Sequence, residues 1–231
     1  MFDYIDSFPL QYKNIEESAQ LLPQPLEGVM DLINETVKSF FQQHNYGNSS
    51  MKGFMMYCRP SVEKYIFSHL YERLYEMYKC KNKERDNEFR KAKTVAQSLT
   101  SMELFRTLKV PKEFMLGTEE EKVDPYGNCV EILNRSEKSI SPGEKVKDIM
   151  RMYTETKIAV INYRGEKAEL QNVNDQVRVL AYILAKADLK FPNTEFNLLK
   201  DYVCMQETSN TAEEFAITNL QVLLLTIPRE V

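Results

Sequence analysis

Residues 174–189, "NDQVRVLAYILAKADL", set Asn174 and Asp175 at the mouth of an almost wholly apolar segment. Two kinds of chemistry fit such a pair. Asn and Asp side chains accept hydrogen bonds from the free N–H groups of a helix's first turn, which concerns the chain alone. An exposed carboxylate at a helix tip can equally meet a group on another molecule. Covalent chemistry finds few parts elsewhere. His44 ends one helical pattern and His69 lies inside another, so neither completes a nucleophile–base set; His69 reads as a packed or surface histidine. Cys58, Cys80, Cys129 and Cys204 form no C-x-x-C pair, a spacing poor for zinc and ordinary for a reduced cytosolic protein. No phosphate-cradling glycine loop, H-E-x-x-H or acidic calcium loop occurs. The expectation is a protein that binds another protein, with no metal and no cofactor.

The elements that must position the pair are helices. Leu26, Val29, Met30, Ile33, Val37, Phe40 and Phe41 follow the i, i+3, i+4, i+7 rule, so 25–44 reads as an amphipathic helix. "NYGNSSMKG" reads as the turn that ends it. From Pro60, Val62, Ile66, Leu70, Leu74 and Met77 form one stripe and Phe67, Tyr71, Tyr75 and Tyr78 a second, as in a helix packed on two sides. The run "KCKNKERDNEFRKAK" mixes both signs and reads as a solvated stretch leading to a third helix through Val95, Leu99 and Met102. Pro111 and the acidic "GTEEEKVDPYGN" mark a loop near 108–127 and the best internal boundary. A short helix over 128–137 follows. Ser141-Pro-Gly-Glu144 is a capping box with proline at the first helical position and launches 142–163, with Val146, Ile149, Met150, Tyr153 and Ile161 inward. Helices then follow over 175–187, through Phe196, Leu199 and Val203, and from Thr211 to about Ile227.

No stretch alternates as a half-buried strand does, and no repeat of fixed period emerges. The expected fold is all-α: a helical bundle over 1–115 and a layered helical core over 116–231, packed as one unit. The net charge of −4 supplies no basic field for nucleic acid. No apolar run reaches the length of a membrane span and no signal peptide is present, so a cytoplasmic protein is expected.

Three segments together resemble a known family. "PSVEKYIFSHLYERLYEMY" resembles the E-K-x-[IV]-x-x-x-L-Y-x-x-[LF] helix of vacuolar protein sorting nine (Vps-nine) exchange-factor domains, the Rabex type among them. "ISPGEKVKDIM" is similar to their S-P-x-[DE]-K-[LV]-x-x-[IL] segment. "NVNDQVRVLAYILAKADL", followed by "EEFAITNL", resembles their A-D-[DE]-x-[LI]-P-x-L-x-Y-[VI]-L-x-K-[AG] and Y-x-x-T-N-[LI] helices. Order, spacing and apolar pattern agree from about residue 60 to 228.

The resemblance implies a helical bundle before a layered Vps-nine-type core. It also implies an exchange factor, acting without covalent catalysis, that promotes GDP release from a small early-endosomal Rab GTPase of the Rab-five subgroup in endocytic vesicle transport, with peripheral recruitment to endosomes. In that family a loop aspartate enters the GTPase phosphate site, and a tyrosine and threonine of the last motif shape the surface that grips the switches. Carried over residue by residue, Asn174 and Asp175 fall at the exchange position and Arg178, Tyr182, Phe215, Thr218 and Asn219 at the GTPase-binding surface. The chain departs from the pattern at three places. Asn174 stands for the family's aspartate, Arg178 for its proline and Phe215 for its tyrosine.

Asp175 can restore the missing charge from the next position, or serve as the helix N-cap. Phe215 can line a groove or fill the core. Thr218 can serve the surface or bond its own helix backbone. A Rab-binding module or scaffold that has lost exchange is the alternative function.

Overall fold

The computed structural model describes residues 2–43, 51–117, 124–165, 170, 172–206 and 211–231. Its helices are α1 (Phe2–Gln11), α2 (Ile15–Gln20), α3 (Gln24–Gln43), α4 (Met51–Ser98), α5 (Ser101–Thr107), α6 (Gly127–Ser136), α7 (Pro142–Arg164), α8 (Val173–Lys186), α9 (Pro192–Cys204) and α10 (Thr211–Glu230), with a 3-10 turn over Lys112–Phe114. Among the described residues there is no strand. The chain is all-α. No helix is long and apolar enough to cross a membrane, among the described residues.

The expected second helix, charged run and start of the third are one 48-residue helix, α4, which also carries Pro60 inside it. The reason lies in what faces inward beyond Met77. Asn82, Asp86, Phe89, Lys93 and Ala96 are all buried and recur at helical spacing, so the inward stripe continues in polar residues. Each polar member has a partner. Asn82 Nδ2 donates to Tyr78 O at 2.8 Å, Asp86 accepts from Asn193 N and Thr194 N at 2.7 and 3.2 Å, and Lys93 meets Asp188 at 2.8 Å. Met102 belongs to α5, which starts afresh at a capping box between Thr100 and Glu103.

α1 and α2 lie in a stretch whose apolar periodicity does not announce them, and Asn14 caps α2 by accepting from Glu16 N at 3.1 Å. Two expected core positions face out: Ile161 and Phe40 are exposed. His44, most of "NYGNSSMKG" and residues 118–123 of the acidic loop lie outside the described residues.

α4 is the axis of the fold. It packs against α1, α2 and α3 and also against α8, α9 and α10, and one continuous apolar cluster runs from Ile5 to Ile227. α9 runs antiparallel along it: Tyr202 bonds Glu63, Asp201 bonds Tyr78, Asn197 bonds Asn82, and Asn193 bonds Asp86.

Two motif segments meet at Glu63. This buried carboxylate accepts from Ser141 Oγ and Gly143 N, both at 3.0 Å, and from Tyr202 Oη at 2.7 Å. Position 143 must be glycine for this approach, since a Cβ there would stand 2.8 Å from Glu63 Oε1. The start of α7 is therefore capped by its own Ser141 and braced by α4. Glu63→Gln keeps the shape and loses the charge that strengthens three hydrogen bonds, so urea unfolding of this variant is expected to show a loss of about 1–2 kcal/mol. An unchanged midpoint would show that the brace is ornamental.

Candidate functional site

α8 begins at Val173, and the residue before it does the capping. Asn172 Oδ1 accepts from Asn174 N at 3.0 Å. Asp175 is therefore not the N-cap. Its carboxylate, half-buried in the first turn, makes no hydrogen bond or ion pair within the described residues, and the Asn174 side chain is exposed. A carboxylate in the first turn sits favourably at the positive end of the helix dipole without being consumed by it.

One turn on, Arg178 is engaged. Its Nη1 meets both carboxylate oxygens of Glu230 at 2.7 and 2.8 Å and reaches Leu108 O at 3.4 Å. Lys109 reaches the same glutamate at 3.4 Å. The expectation that Arg178 offers itself to a partner is corrected to this extent: its charge already ties the start of α8 to the end of α10. Tyr182 requires a full correction. It is completely buried, its ring stacks on Phe105 with centroids 3.9 Å apart, and its hydroxyl donates to Asp124 at 2.7 Å. Burial drives its pKa far above the ordinary phenol value. Tyr182 holds α8 in the core and touches no partner in this conformation.

On α10 the three nominated residues differ from one another. Phe215 is 51% exposed and so is no core residue. Thr218 Oγ1 accepts from Lys200 Nζ at 2.7 Å, and no bond to its own helix backbone accompanies it. Asn219 is partly buried, next to the Tyr153 hydroxyl, which donates to Ala216 O at 2.9 Å.

Among the described residues, no three His, Cys, Asp or Glu side chains gather as a metal requires. No protein-family model matches the chain. No curated protein matches it either.

The nominated residues do not converge on one pocket. The Arg178–Glu230 pair fixes the α8 tip beside the C-terminal end of α10, whereas Phe215 stands in its first turns. At 1.5 Å per residue, Phe215 and Glu230 are about 22 Å apart along the helix. A standard interface of roughly 800 Å² per partner, about 30 Å across, covers both ends. The acidic tip and the exposed ring thus lie at opposite ends of α10, within the span of one standard interface.

The sequence missed Asn172, Lys109 and Glu230. Asn172 left a trace, since an N-cap three residues before an acidic side chain is a capping pattern. The Arg178–Glu230 tie spans 52 residues and left none.

Proposed function

We propose that this chain is a guanine-nucleotide exchange factor of Vps-nine type for an early-endosomal Rab GTPase, acting at the periphery of endosomes. Asp175 at the α8 tip enters the nucleotide site, and the outer face of α10 around Phe215 holds the switch segments. A GTPase retains its β-phosphate through a loop lysine and Mg²⁺. A carboxylate brought to that site competes for the lysine and repels the phosphate. Binding the nucleotide-free form better than the loaded form then shifts the population toward release.

The observation that carries this reading is the division of labour at the tip: Asn172 caps α8 and leaves Asp175 without a partner among the described residues. The motif order of the sequence supports the same reading. The test is release of a fluorescent GDP analogue from a panel of endosomal Rab proteins, with this chain in catalytic amounts. Faster release from at least one member is expected, and baseline rates across the panel would overturn the exchange activity.

A second reading rests on Asn174, which is neutral where the family pattern has a carboxylate, and on Arg178, which is tied to Glu230. It makes the chain a Rab-binding module without exchange. Capture of a Rab protein together with baseline release supports it. Failure to capture any Rab in the GDP, GTP or empty form removes both readings.

A further inference from the structure

Along the seam between α4 and α10 runs a groove that starts at Thr218, at the edge of the proposed GTPase contact, and continues away from Phe215. Two cavities of about 450 and 270 Å³ follow one another there, sharing Arg85, Asn193, Leu224 and Leu225. Their apolar surface includes Val222, Leu225 and Val95, which are 52%, 47% and 47% exposed. Arg85 and Lys91 of α4 and Arg229 of α10 stand along it, against a single acid, Glu88. Arg85, Lys91 and Arg229 have no ion pair among the described residues, in contrast to Arg178, Lys93 and Lys145 elsewhere.

At the bottom lies an unmet donor. Asn193 is 5% exposed, and its backbone N–H is satisfied by Asp86 at 2.7 Å, yet its Nδ2 has no acceptor. Buried amide donors are almost always paired, and leaving one unpaired is unfavourable. Asn193 lines both cavities, while its Nδ2 is itself covered and stays a donor of the interior beneath them.

We infer that this α4–α10 groove docks an acidic amphipathic segment of a partner protein. Its apolar side chains lie on Leu224, Leu225 and Val95, and its carboxylates face Arg85, Lys91 and Arg229. Charge complementarity selects the acidic occupant, and an apolar stripe laid in a groove between helices is an established mode of peptide capture. A concave seam suits a peptide better than a bilayer surface.

The inference is tested without a GTPase, so its failure and that of the GTPase reading are distinguishable although the two share Thr218. The probe is a fluorescein-labelled peptide with leucine at helical spacing and glutamate elsewhere, compared with a twin carrying lysine for each glutamate. The acidic probe is expected to raise anisotropy saturably, with binding weakened between about 50 and about 300 mM salt. The lysine twin is expected not to bind. Leu225→Glu and Arg229→Glu, both on the surface, are each expected to weaken the acidic probe about tenfold. Equal binding of both peptides, unchanged affinity in the variants, or capture of anionic phospholipid vesicles without the peptide would overturn the inference.

Discussion

Asp175→Asn is expected to slow exchange on the responsive Rab protein about a hundredfold while leaving the fold intact. A carboxylate 4 Å from a lysine is worth up to about 4 kcal/mol at an effective dielectric near 20. A neutral hydrogen bond in its place is worth about 1 kcal/mol net. The difference, about 3 kcal/mol, corresponds to about two decades in rate. The variant is clean because Asn172 supplies the cap, so the change removes only a first-turn charge worth about 0.3–1 kcal/mol to α8.

Asn174→Asp in the same background is expected to recover at least about tenfold of the loss, since it returns a carboxylate to the same helical turn. Release of the fluorescent GDP analogue at equal protein concentrations checks both, with thermal melts as control. If Asp175→Asn releases nucleotide at the parent rate, Asp175 is not the group that reaches the phosphate site.

How far the sequence reaches is clearest on α4. Apolar spacing declared its first half through Leu70, Leu74 and Met77, because the inward positions there are hydrocarbon. It fell silent past Met77, where Asn82, Asp86 and Lys93 take the inward positions. Their partners on and just before α9 lie about a hundred residues away, beyond any local window. The start at Ser141 was legible, because a cap is a contact between near neighbours, whereas the caps at Asn14, Thr100 and Asn172 have no proline beside them to single them out.

The same division governs the site. The polar tip of α8 was visible as a break in an apolar run. Its internal cap fell two residues before Asn174, and the choice between cap and free carboxylate could be made only with coordinates. Tyr182 shows the opposite error. Its place inside the continuous apolar run Val179–Ala185, all of it buried, pointed to the core more strongly than any motif pointed to a surface.

Lys145→Met is expected to lower stability by about 3–5 kcal/mol near neutral pH, because it strands a buried carboxylate. Lys145 is fully buried at the start of α7, with Nζ 2.7 Å from Glu195 Oε1 of α9, 3.2 Å from Glu137 O and 5.4 Å from the centre of the Tyr71 ring. The contact with Glu195 is an ion pair by distance rather than a well-directed hydrogen bond, since Oε1 receives no donor in line. Burial pushes the Glu195 carboxyl above its ordinary range, and Lys145 is the chief influence pulling it back.

With the lysine gone, the upward push of burial is opposed only by the long hydrogen bond from Tyr71, and the folded variant holds a proton that the unfolded chain gives up. A carboxyl raised in the folded state favours folding at low pH, and that advantage is lost as pH rises toward its folded value. The stability of Lys145→Met should therefore fall by about 1.4 kcal/mol per pH unit through that window. Urea unfolding at about pH 5 and about pH 7.5 is expected to show the variant closer to the parent at the lower pH.

Replacing both partners, Lys145→Met with Glu195→Met, removes the stranded charge and is expected to recover most of the loss, since an apolar pair often substitutes for a buried ion pair without penalty. A single variant that loses the same stability at both pH values, or a double variant no better than the single, would show that the loss comes from packing around Tyr71 rather than from an unpaired carboxylate. The charge on Lys145, supplied by the "SPGEK" segment, would then contribute nothing to holding α7 against α9.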